Sequence, residues 1–116
     1  SKSESSECPS DLACTEIFVT VSVKIQNSKN ESVFLTRTTT SIEGNNNIIT
    51  NSGWDKIGAY NVLDDLSIKE IKKSGSIVIF KGFDADNQMI VNEQFIIGHD
   101  CCHIVKISGK EVIIVN

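Results

Sequence analysis

The four cysteines of this 116-residue chain stand in two groups at opposite ends of the sequence. Cys8 and Cys14 lie near the N-terminus, whereas Cys101 and Cys102 are adjacent near the C-terminus. An even number of cysteines in a short, β-rich chain is typical of disulfides that form in an oxidising compartment. We therefore predict that disulfides clamp the two ends of the chain together and that the protein is exported.

The spacing of the cysteines favours one pairing. A bridge between the adjacent Cys101 and Cys102 would be strained, because bridged Cα atoms normally stand about 4.4 to 6.8 Å apart. Two long-range bridges are therefore expected. Cys14 and Cys102 each share strand parity with a lysine that is expected to face solvent. This parity favours Cys14 with Cys102 and Cys8 with Cys101.

Length and charge exclude several classes of protein. The length fits a single domain with a real core, and no apolar run approaches the roughly 20 residues of a transmembrane helix. The net charge is -4 and the eleven basic residues are scattered, which argues against a nucleic-acid partner. Residues 1–13 are rich in Ser and Glu and predict a flexible polar tether, followed by a folded domain over residues 14–116. A lipid anchor upstream of the tether is a further hypothesis.

The first half of the chain alternates as strands do. The alternation over residues 17–25 is strict, with Ile17, Val19, Val21, Val23 and Ile25 in one set and Phe18, Thr20, Ser22 and Lys24 in the other. Residues 33–40 resume extended structure after a turn at residues 27–30, which predicts a hairpin. The second run holds Thr36, Thr38, Thr39 and Thr40 and is interpreted as an edge strand with a solvent face. The Asn-rich residues 43–53 predict a loop.

The second half predicts one short helix and two further hairpins. A short strand over residues 56–63 carries Tyr60, for which we expect burial, and the acids, lysines and glycine of residues 64–75 indicate one or two helical turns. Residues 76–83 and 88–97 flank an Asp/Asn turn and predict a hairpin, as do residues 102–107 with 111–115. About seven short strands with at most one short helix indicate an all-β, antiparallel β-sandwich of the Ig-like or transthyretin-like kind.

Two segments carry a family resemblance. TVSVKIQNSKNESV (20–33) and GSIVIFKGFDADNQMIVNEQFIIGHDCCHIVKISGKEVIIV (75–115) resemble the carboxypeptidase regulatory-like (transthyretin-like) β-sandwich domains. The ACT start and the GHDCCHIVKISG segment are similar to small secreted or lipoprotein domains of bacteria. The resemblance implies a seven-stranded accessory or binding module with no catalytic residues to carry over. The chain departs from the family's pattern at residues 28–31, where a Gly-Pro-rich turn is typical.

A metal or redox site is the alternative for the HDCCH segment. Its candidate ligands are His99, Cys101, Cys102 and His103, which are side chains suited to zinc or copper. Structural zinc sites usually space their cysteines as C-x-x-C, whereas adjacent residues of a strand point to opposite faces. The spacing therefore favours disulfides, and no metal or other cofactor is expected.

The sequence gives little support for a calcium site or a catalytic site. Asp84, Asp86 and Asn87 resemble the start of a calcium loop, but Met89 stands where such a loop needs its glycine. Catalysis by a Cys–His pair would need a free thiolate, and no nucleophile elbow or phosphate loop is present. Trp54 in the Asn-rich loop is a weak candidate for gripping a ligand.

The sequence thus predicts a non-enzymatic binding or accessory module that is stapled by disulfides. Its expected location is extracellular, periplasmic or anchored at the outer membrane, and its expected partner is an unknown protein or glycan. The alternative from another class is the metal-binding or redox protein built on the HDCCH segment.

Overall fold

The computed structural model describes residues 8, 13–14, 16–52 and 58–115. The described residues form eight strands and one short 3₁₀ helix. The strands are β1 (Thr20–Gln26), β2 (Arg37–Ile42), β3 (Ile48–Ser52), β4 (Ala59–Asp64), β5 (Ser76–Phe83), β6 (Met89–His99), β7 (Ile104–Ser108) and β8 (Val112–Ile114), and the helix spans Asp65–Glu70. A three-stranded sheet has the order β4-β1-β8, and a five-stranded sheet has the order β3-β2-β5-β6-β7. The predicted all-β sandwich with one short helix is confirmed, with one strand more than expected.

The core lies between the two sheets. From β1 it receives Val21, Val23 and Ile25, which are the inward positions that the alternation predicted. From the five-stranded sheet it receives Phe80 and Phe95, whose rings meet edge to face with centroids 6.4 Å apart. Such an arrangement places the positive edge of one ring on the negative face of the other.

The first predicted hairpin forms only at its turn, where Gln26 bridges Ser32 antiparallel and the N–H of Val33 donates to the carbonyl of Ile25 at 2.9 Å. The predicted pairing of its two long strands is wrong. β1 pairs with β4 and β8, whereas β2 pairs with β3 and β5 in the opposite sheet. Between them the chain crosses the end of the sandwich, and Tyr60 holds this crossing in place. The Tyr60 hydroxyl accepts the backbone N–H of Leu35 at 2.7 Å and donates to the carbonyl of Val33 at 3.0 Å. Tyr60 is buried, as predicted.

The threonine-rich strand is not an edge strand, because β3 and β5 flank β2 on both sides. Thr38 and Thr40 point inward and are fully buried. The Thr40 hydroxyl donates to the carbonyl of Val62 at 2.6 Å and so ties the two sheets together. The Thr38 hydroxyl has no hydrogen-bond partner among the described residues.

This difference predicts opposite effects for two matched substitutions. Thr40→Val removes the bond between the sheets and is expected to lower the free energy of unfolding by about 1 to 2 kcal/mol. Thr38→Val replaces a buried, unpartnered hydroxyl with a methyl group of the same shape and should raise that free energy by up to about 1 kcal/mol. Urea unfolding of the two variants and the parent measures both values. An equal loss in both variants would contradict the assignment.

The Asn-rich segment also differs from its prediction as a loop. Residues 43–47 form the turn, but β3 follows over Ile48–Ser52 and pairs antiparallel with β2. The polar composition is compatible with a strand here because β3 is at the edge of its sheet and its residues 48, 49 and 51 carry no deep burial.

The central hairpin is confirmed. β5 and β6 pair antiparallel, and Asp84 closes the turn by accepting the backbone N–H groups of Asp86 and Gln88, each at 2.9 Å. The Asp84 carboxylate therefore stabilises the turn of this hairpin. The predicted helical turns are also present, since Asp64 caps the 3₁₀ helix by accepting the N–H of Leu66.

The predicted C-terminal hairpin is wrong. β7 pairs with β6, and the chain then crosses to the other sheet, where β8 runs parallel to β1. The three-stranded sheet is therefore mixed, whereas a fully antiparallel sandwich was expected. Gly109 lies in this crossing with φ +143°, and a Cβ there would stand 2.1 Å from Cδ2 of Phe95. Only glycine can pass this close to the core ring.

No helix among the described residues has the length and apolar character needed to span a bilayer.

Candidate functional site

Two disulfides join the start of the described chain to the β6–β7 turn. Cys8 is bonded to Cys101 and Cys14 to Cys102, with Cα–Cα distances of 5.5 and 5.3 Å. This is the pairing that strand parity favoured. All four sulfurs are thus in bridges, and none is free.

The local backbone explains how two adjacent cysteines reach two different partners. Cys101 has φ +77°, a left-handed conformation that is uncommon for residues other than glycine. The carboxylate of Asp100 accepts the N–H groups of Cys102 at 3.0 Å and His103 at 2.8 Å, which closes a tight turn. These hydrogen bonds, with that from His103 the largest, hold the pKa of Asp100 below its usual value. The cysteines therefore sit in a turn, where the alternation of a strand does not apply.

Asp65 is the polar centre beside this turn. Its carboxylate accepts the N–H of Val19, the N–H of Ile104 and a hydrogen bond involving Nδ1 of His103, each at 2.8 Å. Burial raises the pKa of Asp65, but these hydrogen bonds and the charge of His103 outweigh it and leave the pKa lowered. One side chain thus links the entry to β1, the 3₁₀ helix and the start of β7.

The sequence did not single out Asp65 as part of the site. Asp64 and Asp65 were interpreted together as acids at a helix start, and that role belongs to Asp64. The paired acids gave no indication that the second reaches 38 residues along the chain to His103.

The structure separates the four residues of the alternative metal set. Cys102 is bonded to Cys14, and His103 is held by Asp65. His99 instead lies beside the first disulfide, where one ligand atom from each of Cys8, His99 and Cys101 lies within 4.8 Å of the others. Cys8 was not in the predicted set, because its sequence distance from the HDCCH segment hides the contact.

A groove of about 370 Å³ opens along β1 on the three-stranded sheet. Its lining includes the backbone stretch Thr20–Lys24 of β1, with Lys106 and Glu111 from the β7–β8 region. Lys106 Nζ lies 4.0 Å from Glu111 Oε2. This groove was not predicted, since it depends on β8 crossing to the sheet of β1.

One side of β1 is open along this groove. β8 pairs only with residues 24–26 of β1, and the N–H of Lys24 donates to the carbonyl of Glu111 at 3.0 Å. Backbone groups of a strand point alternately to its two sides. Thr20 and Ser22 therefore present their N–H and C=O groups on the same side as Lys24, where no described strand pairs with them.

Trp54, the weak ligand candidate, lies outside the described residues. Comparisons with protein-family models, with curated proteins and with solved structures found no match for the chain. The resemblance to carboxypeptidase regulatory-like domains therefore stays a prediction, and the function proposed below rests on the geometry of the described residues.

Proposed function

We propose that the chain is an exported, non-enzymatic binding module that receives an extended segment of a partner protein along the open edge of β1. The observation that carries this proposal is the side of β1 away from β4, where no described strand pairs with residues 20–23 and a groove large enough for a few side chains lies alongside. An exposed strand edge offers main-chain donors and acceptors in register, and adding a strand to such an edge is a recurring mode of peptide recognition.

The disulfides support export. Bridges of this kind persist in oxidising compartments and are rare where glutathione keeps thiols reduced. They also support a binding role over a catalytic one, since the sulfurs are not available as nucleophiles while bridged.

The charges at the groove favour an acidic partner. Lys24 of β1 is exposed and Lys106 is partly buried, whereas Glu111 is the one acid among the described residues that line the groove. Lysines at a strand edge discourage pairing between two copies of the same chain through like-charge repulsion. The same lysines attract an extended segment that carries Asp or Glu.

Amide NMR of the ¹⁵N-labelled protein tests the proposal. The N–H groups of Thr20 and Ser22 are expected to exchange rapidly in the free protein, whereas those of Val21 and Val23, which face β4, are protected. Unstructured nonapeptides of alternating Val and Thr with one central Asp should then shift and protect the Thr20 and Ser22 amides. Peptides with consecutive prolines through the central segment offer no N–H on either side of the strand and should not bind.

Charge reversal supplies the matched control. Lys106→Glu is expected to weaken binding of the acidic peptide about fivefold, as a rim charge worth about 1 kcal/mol would. Lys29→Glu, in the exposed β1–β2 turn, should leave binding unchanged. Shifts confined to the edges of β3, β4 or β7 would contradict the proposed site. Binding to a panel of oligosaccharides but to none of the peptides would instead favour a glycan ligand.

A further inference from the structure

We infer that reduction of the Cys8–Cys101 bridge creates a zinc site, in which the two thiolates and the imidazole of His99 are the ligands. The inference does not depend on the β1 groove. It differs from the set predicted from the HDCCH segment, since Cys102 and His103 take no part and Cys8 replaces them.

The first support is proximity. One ligand atom from each of the three residues already lies within 4.8 Å of the other two, and a zinc ion held by two thiolates and an imidazole needs ligands at about 2.0 to 2.3 Å from the metal. Cys8 is exposed, and Cys101 and His99 are half-buried, so an ion can approach from solvent. Two sulfurs with one nitrogen form a ligand set that suits zinc.

The second support is the orientation of His99. The backbone N–H of Cys101 donates to Nδ1 of His99 at 3.0 Å. A ring nitrogen that accepts a hydrogen bond carries its lone pair, so the neutral ring has its proton on Nε2. The lone pair that a cation needs is therefore on Nδ1 and is aimed at residue 101. The metal would take the place of the Cys101 amide.

The third support is the neighbouring bridge. Cys14–Cys102 ties the chain together six residues after Cys8 and one residue after Cys101. When the first bridge is opened and the second stays closed, the two thiols remain connected by a short path that runs along residues 8–14, through the second bridge and back to residue 101. Short tethers of this kind keep reacting groups at high effective concentration. The second bridge thus holds the ligands near one another without binding the metal.

The chemistry has two balanced steps. An external dithiol attacks the Cys8–Cys101 bond and becomes a disulfide, while Cys8 and Cys101 each leave as a thiol. A Zn²⁺ ion then displaces the two thiol protons and takes the His99 lone pair, with water in the fourth position. Exchange with an external disulfide re-forms the Cys8–Cys101 bond, reduces that disulfide to two thiols and releases the ion, because bridged sulfurs cannot act as thiolate ligands.

Cobalt substitution tests this inference on the full chain. Limited reduction to two thiols per molecule, with alkylation mapping to show that Cys14–Cys102 is intact, gives the starting form. Added Co²⁺ is expected to bind at one equivalent with the near-ultraviolet sulfur-to-cobalt charge-transfer bands of two thiolates. Zn²⁺ should displace it. The fully oxidised protein should show no such bands.

Three variants separate this site from its neighbours. His99→Gln is expected to weaken Co²⁺ binding at least tenfold, whereas His103→Gln should leave it unchanged. The C8S/C101S double variant keeps the second bridge and should lose the charge-transfer bands after the same reduction. Equal binding by the parent and by His99→Gln, bands retained in C8S/C101S, or no binding by the two-thiol form would each overturn the inference.

Discussion

Replacing all four cysteines by serine is expected to lower the free energy of unfolding by about 7 kcal/mol, which is most of the stability of a typical small domain. The bridges span 93 and 88 residues of sequence. In the chain-entropy description, the first bridge that closes such a loop restricts the unfolded chain by about 4.5 kcal/mol. We expect the four-serine protein to be largely unfolded at 37 °C.

The two bridges should not contribute additively. When one bridge is present, the other closes only a ring of about nine residues, which comprises residues 8–14 and 101–102, and such a ring is worth about 2.5 kcal/mol. C8S/C101S and C14S/C102S should therefore each lose about 2.5 kcal/mol.

Urea unfolding of the parent, the two double variants and the four-serine variant measures this non-additivity. Alkylation and peptide mapping confirm which bridges are closed in each protein. If either double variant alone lost as much as the four-serine variant, the small ring formed by the two interlaced bridges would not account for their stabilisation.

Asp65→Asn is expected to lower the free energy of unfolding by about 3 kcal/mol. The carboxylate accepts three hydrogen bonds in a partly buried position, and the amide nitrogen of asparagine would face one of those donors instead of accepting from it. A buried donor without a partner costs about 1 to 3 kcal/mol, and hydrogen bonds to charged groups are stronger than neutral ones. Asp64→Asn is the matched control, because it affects only the cap of the 3₁₀ helix and asparagine caps nearly as well as aspartate.

Asp65 is also expected to make the free energy of unfolding sensitive to acid. The pKa of Asp65 is lower in the folded chain than its ordinary value of 3.8, so its contribution to stability is complete above that value. The contribution is lost as the pH falls through the lowered folded value. Urea midpoints measured from pH 6 down to pH 2 should fall more steeply in the parent than in Asp65→Asn. Parallel curves for the two proteins would show that Asp65 does not cause this sensitivity.

Local pattern predicted the parts of the fold in which neighbours in sequence are also neighbours in space. The β5–β6 hairpin has a four-residue turn closed by Asp84, and every signal for it lies within the hairpin itself. The residues of β1 that face the core could also be predicted, because Val21, Val23 and Ile25 repeat with the period of a strand.

Partner choice between distant strands could not be predicted in this way. Nothing in residues 17–40 indicates that β1 and β2 belong to different sheets, since the crossing is held by Tyr60, some 25 residues later in the sequence. Nothing in residues 104–115 indicates that β8 leaves β7 for β1. β3 was missed because Asn51 and the three asparagines that precede the strand at residues 45–47 favour turns, and pairing with the edge of β2 outweighed that preference.

The candidate site was likewise predictable from the sequence only in part. Strain excluded a bond between Cys101 and Cys102 from the sequence alone. The parity argument reached the observed pairing by assuming a strand at these residues, which lie in a turn. The contact of Cys8 with His99 and the reach of Asp65 to His103 depend on tertiary structure, and no spacing rule links residues so far apart.

The order in which the bridged cysteines are synthesised has a consequence for oxidation of the nascent chain. Cys8 and Cys14 leave the ribosome more than eighty residues before the partners with which they pair. Among the cysteines of this sequence, each of the two can pair only with the other throughout that interval. A bond formed then has to be undone by thiol exchange before the mature connectivity can arise, so we expect efficient production to require a disulfide isomerase as well as an oxidant.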